Sequence, residues 1–351
     1  MAVIEYITPV QVSFTPTGVL QTIDLSAYVA SDATIAILQI ENTSTTTGKV
    51  ANVQSGSTSS SLTTGFTEFH GGATENRFVT QAVSLTGGLA FRGTFQSTHI
   101  VFVIGQIRGD GVVNFDAMRD VSPTVAATWT TRTLTDNSEY VSGDEVEAVV
   151  IAMYWYQTAT GSQTIGIRTL GSTVGTWTVD RQRQSMTFFI LKVDSDTKYE
   201  TYATFKTINP TCRFFEVGYI KKGCGYTGIS EWGSDILPVG PTLGAWTDLD
   251  VTSSTATNST LAVFTQRSNA TGSLGNYYLR PNGGSEVAHP LTLQLLSSRV
   301  ITLDSSQVME FFVANDNNKT LYIHGYLEPI GTKLIIDGEN LTIDGENLTI
   351  D

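Results

Sequence analysis

The stretch Trp246-Thr-Asp-Leu-Asp-Val-Thr252 decides the reading of this chain, because it opens a block whose landmarks occur more than once. It is followed by Tyr277-Tyr-Leu-Arg-Pro-Asn-Gly-Gly-Ser285 and by Leu321-Tyr-Ile-His-Gly-Tyr-Leu327. The same order stands earlier as Trp129-Thr-Thr-Arg-Thr-Leu-Thr135, Ile165-Gly-Ile-Arg-Thr-Leu-Gly-Ser172 and Phe214-Phe-Glu-Val-Gly-Tyr-Ile220. A weaker copy opens the chain: Leu20-Gln-Thr-Ile-Asp-Leu-Ser26, Lys49-Val-Ala-Asn-Val-Gln-Ser-Gly-Ser57 and Val101-Phe-Val-Ile-Gly-Gln-Ile107. The landmark glycines pair as Gly56 with Gly105, Gly171 with Gly218 and Gly284 with Gly325, each about 40 to 50 residues apart. One supersecondary unit has been used three times.

Composition agrees with strands. Hydrophobic residues are 40% of the 351 and charged residues only 15%, where ordinary soluble domains carry roughly 25% charge. Ser, Thr and Gly fill the difference, as in an all-β protein with neutral, Thr-rich strands. The net charge of −13 excludes the basic stripe that nucleic acid requires and disfavours anionic membrane surfaces. No apolar stretch approaches the length of a membrane-spanning helix. The first residues, Met-Ala-Val-Ile-Glu-Tyr-Ile, lack a basic region followed by an apolar run, so synthesis in a cytoplasm is expected.

Strand-length runs fall at Ile4 to Phe14, Ala33 to Ile40, Val50 to Val53, Phe78 to Phe91, and His99 to Ile107. In the second block they are Val146 to Tyr156, Met186 to Val193 and Cys212 to Ile220. The one helix candidate, Asn114 to Asp120, is too short to stand alone. The boundaries read as a first repeat over 1–110, a linker over 111–128, a second repeat over 129–222, a linker over 223–245 and a third repeat over 246–330. The expected fold is all-β, three tandem β-sandwich (jelly-roll-like) domains with a short C-terminal β tail. Strung along one polypeptide, they predict an extended rod.

The tail, 331–351, repeats Gly-Glu-Asn-Leu-Thr-Ile-Asp. A glycine in every heptad and Thr-Ile pairs argue against a coiled coil. Asp337-Gly338 and Asp344-Gly345 are preferred two-residue hairpin turns, which makes Leu334, Ile336, Leu341, Ile343, Leu348 and Ile350 candidate assembly residues. So small a meander needs a neighbouring sheet or chain. The bland alternative is an acidic tail.

The chemistry-bearing residues are weighed the same way. Trp129 and Trp246 recur at a fixed place and read as plugs of a sandwich core rather than sugar platforms. Arg168 and Arg280 read as partners of a carboxylate in their own repeat, with a glycine turn following. Arg108-Gly109-Asp110 matches an integrin-binding tripeptide, against the plainer reading of a polar turn. Cys212 and Cys224 are either bonded across a short loop or reduced and buried. His70, His99, His289 and His324 lack metal-ligand spacing, and Asn315-Asp-Asn-Asn318 reads as a hairpin turn rather than a calcium loop. Asp144-Glu145 and the Asp194/Asp196 pair read as turn residues rather than a glycosidase pair. No nucleophile elbow or phosphate loop is present, so no enzymatic reaction, cofactor or metal is expected. Asn-x-Ser/Thr acceptors at Asn42, Asn258, Asn269, Asn318, Asn340 and Asn347 carry little weight in so Thr- and Asn-rich a chain.

The repeated pattern resembles β-sandwich modules of tailed-phage virions: a Trp-led strand, a Leu/Ile-Arg-x-x-Gly-Ser turn, and a closing aromatic-Gly-Tyr strand. The second repeat matches at Trp129, Arg168, Gly171, Gly218 and Tyr219, and the third at Trp246, Arg280, Gly284, Gly325 and Tyr326. The first lacks the Trp, has Gln54 near the Arg position and Gln106 for the Tyr. The resemblance covers roughly residues 18 to 330 and implies a capsid decoration, head fibre or tail-associated part, commonly trimeric. Expected partners are the chain itself, as a trimer, and other virion proteins. The other reading is a carbohydrate-binding array for a host surface glycan, with Tyr154, Trp155, Tyr156, Trp177 and Trp232 as the aromatic contacts.

Overall fold

The computed structural model describes residues 3–43, 50–54, 66–67, 77–156, 163–179, 184–204, 211–232, 235–238, 241–268, 275–286, 290–291, 296–314, 319–328, 332–336 and 339–343. The first module holds β1 Val3–Gln11, β2 Leu20–Asp24, β3 Ala33–Asn42, β4 Val50–Gln54, β5 Phe66–Thr67, β6 Arg77–Ser84, β7 Ala90–Thr94 and β8 His99–Arg108. The second holds β9 Val112–Asp120, β10 Thr130–Thr133, β11 Val146–Tyr156, β12 Gln163–Thr169, β13 Trp177–Val179, β14 Gln184–Lys192, β15 Lys198–Ala203 and β16 Thr211–Lys221. The third holds β17 Tyr226–Gly228, β18 Trp246–Asp250, β19 Leu261–Ser268, β20 Gly275–Pro281, β21 Pro290–Leu291, β22 Leu296–Thr302, β23 Val308–Val313 and β24 Lys319–Leu327. Each module folds into two four-stranded sheets with the same strand order, first-eighth-third-sixth and second-seventh-fourth-fifth. Eight antiparallel strands in that order form a jelly roll. The chain is three jelly rolls in succession.

The repeat boundaries shift from the sequence reading. The segment read as the first linker contains β9, which pairs with β16, and the second contains β17, which pairs with β24. The Trp landmarks therefore mark the second strand of a module, not its start. Asn114 to Asp120 is strand rather than helix, because β9 closes the edge of its sheet; the described helical residues are one 3-10 turn, Leu134–Asp136.

The landmark glycines Gly105, Gly218 and Gly325 occupy one structural position. Ile37 pairs with Gly105 and Leu38 with Val103, so Ile104 is bulged out. In the same way Val150 pairs with Gly218 and Ile151 with Glu216, and Val263 pairs with Gly325 and Phe264 with Ile323. A bulge bends the eighth strand and brings its first-strand neighbour close to the glycine. A Cβ on Gly218 would lie 2.3 Å from the Val113 carbonyl oxygen, and one on Gly325 2.6 Å from that of Thr227. The earlier landmark falls at Gly171 and Gly283, with φ of +80° and +69°, each the third residue of a turn closed by Ser172 N–H to Thr169 O or Gly284 N–H to Pro281 O. Positive φ at that position selects glycine. Gly283, not its neighbour Gly284, is thus the counterpart of Gly171.

The modules do not form a rod. The first-eighth-third-sixth sheets of all three pack against one another in a single apolar cluster. The bulge partners Ile37, Val150 and Val263 lie in it together with Ala82, Ile190 and Val300, which pair with them across the third and sixth strands. Equivalent residues of three modules meeting in one cluster define a pseudo-threefold axis. These inner sheets are consequently buried on both faces, with Ala36 and Leu38 facing one core and Ile35 and Ile37 the other. That is why β11, and β3 from Leu38 to Ile40, read as near-continuous apolar runs rather than alternating ones. Short connections, 109–111 and 222–225, hold the modules side by side.

Where the sixth strands β6, β14 and β22 meet, the contact is polar. Ser298 N–H lies within hydrogen-bond distance of both Thr80 Oγ1 (3.1 Å) and Thr187 Oγ1 (2.9 Å). The Thr187 hydroxyl lies 3.1 Å from Ser298 Oγ, and Thr80 Oγ1 lies 3.2 Å from Ser297 Oγ. Each sixth strand is the open edge of its sheet, and an open edge carries unpaired backbone groups that invite unwanted pairing. Here hydroxyls from two modules satisfy a donor of the third, so the edges cap one another. The tail follows as a hairpin, β25 Thr332–Ile336 and β26 Glu339–Ile343, with Leu334 opposite Leu341 and Ile336 opposite Glu339. Both Asp-Gly steps, Asp337-Gly338 and Asp344-Gly345, and Leu348 and Ile350 lie outside the described residues.

Candidate functional site

The second and third modules carry the same brace on their outer sheets. Arg168 donates from Nε to Glu200 Oε2 at 2.7 Å, and its guanidinium lies 4.0 Å over the Trp129 ring. Arg280 donates to Glu310 Oε2 at 2.8 Å and lies 3.8 Å over Trp246. The register explains both: Arg168 pairs with Glu200 across β12 and β15, and Arg280 with Glu310 across β20 and β23. Trp129 lies over Gly166, where a Cβ would be 2.6 Å from the indole. The carboxylate partner in the same repeat is as expected from sequence. The tryptophans, however, clamp the outer face of a sheet and are half-buried rather than plugging the core. The glutamates escaped sequence reading, although they stand 32 and 30 residues after their arginines. In the first module Gln54 faces Arg92 at the equivalent pair, so the brace loses its ion pair.

A second buried network joins the strands of the second module. Glu216, wholly buried, accepts from Arg119 (2.7 Å), Tyr199 (2.7 Å) and Asn137 (2.8 Å). Burial raises the pKa of Glu216, and burial beside this carboxylate pushes the Tyr199 hydroxyl far up. Arg119 also donates to the Thr133 carbonyl, so the network ties β9, β10, β15 and β16 together.

The seam between the second and third modules is aromatic. Trp177 lies 4.9 Å from Trp232, and Trp232 lies 4.0 Å from His324, with Phe189 and Tyr322 adjoining. Trp155, Trp177 and Trp232 are 0%, 4% and 2% exposed, and Tyr154 is 1% exposed. None of these can act as a surface sugar platform in this fold, which corrects the expectation that they are glycan contacts. Alternation in a sheet buried on both faces puts Tyr154 and Trp155 into opposite cores. The side-chain exposure of Tyr156 lies outside the described residues.

His324 occupies the bulge position held by Ile104 and Val217 in the other modules. Its Nε2 is 2.6 Å from Thr265 Oγ1, its Nδ1 has no partner, and burial pulls its pKa down to about 3. The unfolded chain, near 6.5, therefore binds the extra proton first, so this residue costs stability as pH falls from about 6.5 toward 3. His324→Val, which installs the residue of the second module, is expected to remove that component. At pH 4.5 the wild type should lose about 2–3 kcal/mol relative to the variant, compared with their difference at pH 7.5. Denaturant melts of both proteins at the two pH values check this, and equal pH dependence would contradict it.

The remaining sequence candidates have structural employment. Arg108 is held by Glu5 at 2.6 Å and Asp32 at 3.2 Å, and Gly109, at φ +89°, turns the chain out of β8. The tripeptide is the polar turn. Cys212 and Cys224 are free thiols buried in different clusters. Asp144 accepts from Tyr219 (2.6 Å) and Lys221 (2.9 Å), both of which lower its pKa, and Asp194 accepts from Asp196 and Lys198 N–H groups in a turn. His99 Nδ1 accepts from Gln96 N–H, and Asn42 is buried in β3. His70, His289, Asn269, Asn315 to Asn318 and Asn347 lie outside the described residues. Among the described residues no three of His, Cys, Asp and Glu converge as metal ligands, and no helix is long and apolar enough to cross a membrane.

No protein-family profile matches the chain, and no curated protein matches it. Among solved structures it is similar to a chain described under "The Triple Jelly Roll Fold and Turret Assembly in an Archaeal Virus", at 10% identity and a TM-score of 0.23 over 93% of this chain and 90% of that one. A chain of the Sulfolobus turreted icosahedral virus matches at 10% identity and 0.22, covering 92% and 91%. The N-terminal CBM22-1-CBM22-2 tandem domain of Xyn10C from Paenibacillus barcinonensis matches at 10% identity and 0.14, covering 57% and 82%.

Proposed function

We propose that the chain is a non-enzymatic structural component of a virion, a capsid decoration, head fibre or tail-associated part, that acts through assembly with itself and with other virion proteins. The observation that carries this reading is the fusion of three jelly rolls into one pseudo-threefold body. Its landmark arginines brace the outer sheets of their own modules, and Trp177 and Trp232 pack between two modules. The repeated motifs resemble virion modules, and the tail contains an antiparallel strand pair whose second strand sequence, Glu-Asn-Leu-Thr-Ile, recurs after the next Asp-Gly. A two-stranded ribbon is marginal alone, so pairing with the tail of another copy supplies the missing strands.

The chain truncated after Gly331 tests this. In light scattering the full-length protein is expected to be a trimer or larger, and the truncated protein a monomer. Compact monomers in both cases would remove self-assembly, and turnover of capsule glycan or peptidoglycan would overturn the non-enzymatic reading.

A further inference from the structure

Two clefts meet at Glu231, one between the second and third modules and one on the third. One has a volume of about 480 Å³ and is lined by Ser172, Lys192, Asp194 and Lys222. The other, of about 350 Å³, has Trp232, Ile236, Ser254 and Tyr326 in its walls. The shared wall is fixed: both carboxylate oxygens of Glu231 accept from Thr173 N–H at 3.0 Å, and one accepts the Thr173 hydroxyl at 2.5 Å. None of these residues belongs to the outer braces or the polar contact at the axis.

We propose that the two clefts form one binding groove for a short oligosaccharide, with one sugar ring in each cleft. A sugar offers hydroxyls that both donate and accept, and an apolar C–H face. The first cleft presents the ammonium groups of Lys222 and of Lys192, the latter 3.8 Å from the Glu147 carboxylate in the same wall, the Asp194 carboxylate and the Ser172 hydroxyl, which suits hydroxyls pointing in several directions. The second presents an aromatic and aliphatic wall in Tyr326 and Ile236, both partly exposed, with the Trp232 indole buried behind them and out of contact with the sugar. Both volumes fall within the range of small-ligand sites, about 300–1,000 Å³. The net charge of −13 argues against a nucleic-acid strand in the same groove.

The inference stands apart from the assembly reading, because loss of glycan binding leaves the tail experiment unaffected. Its test is calorimetric titration of the full-length chain with cellobiose, xylobiose, chitobiose and maltotriose. At least one is expected to bind saturably, with affinity lowered about tenfold by Tyr326→Ala and about threefold by Lys222→Ala. Tyr326→Phe should retain most of the affinity. Lys222 is exposed, so its variant reads the groove even where Tyr326→Ala perturbs packing. No saturable binding up to about 10 mM, or binding unchanged in both alanine variants, would overturn the proposal.

Discussion

Replacing Arg299 by alanine is expected to destabilise the protein by about 3–5 kcal/mol, the cost of removing one member of a buried charge network. Arg299 belongs to β22 of the third module and is 1% exposed. Its guanidinium lies 3.8 Å over the Tyr278 ring and 5.2 Å from that of Phe78, and it donates to Gln39 of the first module. Gln39 in turn donates to Glu41 Oε1 at 2.7 Å. Burial lowers the pKa of Arg299 and raises that of Glu41, so each charge is held against a desolvation penalty that the other offsets. Alanine removes the charge that offsets the desolvation of Glu41, leaves Gln39 without this donor and opens a cavity between two modules. The double variant Arg299→Met with Glu41→Gln removes both charges at similar volume and is expected to lie within about 1.5 kcal/mol of wild type. Urea melts of the three proteins separate the outcomes. Alanine at under about 1 kcal/mol would mean that the first and third modules do not pack as described.

The second large effect is expected at Gly218. A Cβ there meets Val113 O at 2.3 Å and Asn114 Cα at 2.9 Å, both main-chain atoms that cannot rotate away. Gly218→Ala should therefore force β9 from β16 and cost about 3 kcal/mol, the upper end of ordinary overpacking. Gly325→Ala meets Thr227 O at 2.6 Å and should cost nearly as much, whereas Gly105→Ala meets Glu5 O at 2.9 Å and should cost least. Thermal melts that ranked Gly105→Ala as the most damaging of the three would contradict a shared bulge under the first strand.

These two sites show what could be read in advance and what could not. The glycines announced themselves by recurring, because a bulge pressed against a neighbouring strand tolerates no other residue. The same recurrence exposed Trp129 and Trp246 and their arginines, which a fixed ladder register places beside Glu200 and Glu310. Strand limits such as those of β11 followed from the apolar run Val146 to Tyr156. Module boundaries did not follow, because β17 is three residues long and carries no periodicity of its own. The side-by-side arrangement was hidden for a different reason. Arg299 and Ser298 look like solvent-facing residues of an edge strand until another module covers them, and no local pattern records that cover. The double burial was written in the continuous apolar strands, but such a run fits any sheet covered on both faces. Trp177 and Trp232 misled for the same cause: they meet each other across the seam between two modules, a contact that no local pattern records.

The pseudo-threefold packing of the modules is the claim on which the rest stands, and small-angle X-ray scattering of the chain ending at Gly331 tests it most directly. At monomer mass, a radius of gyration of about 20 Å is expected for three modules around one axis, the value for a single globule of this length. Three separate modules of about 13 Å each, strung end to end, would give about 30 Å or more, and that result would contradict it.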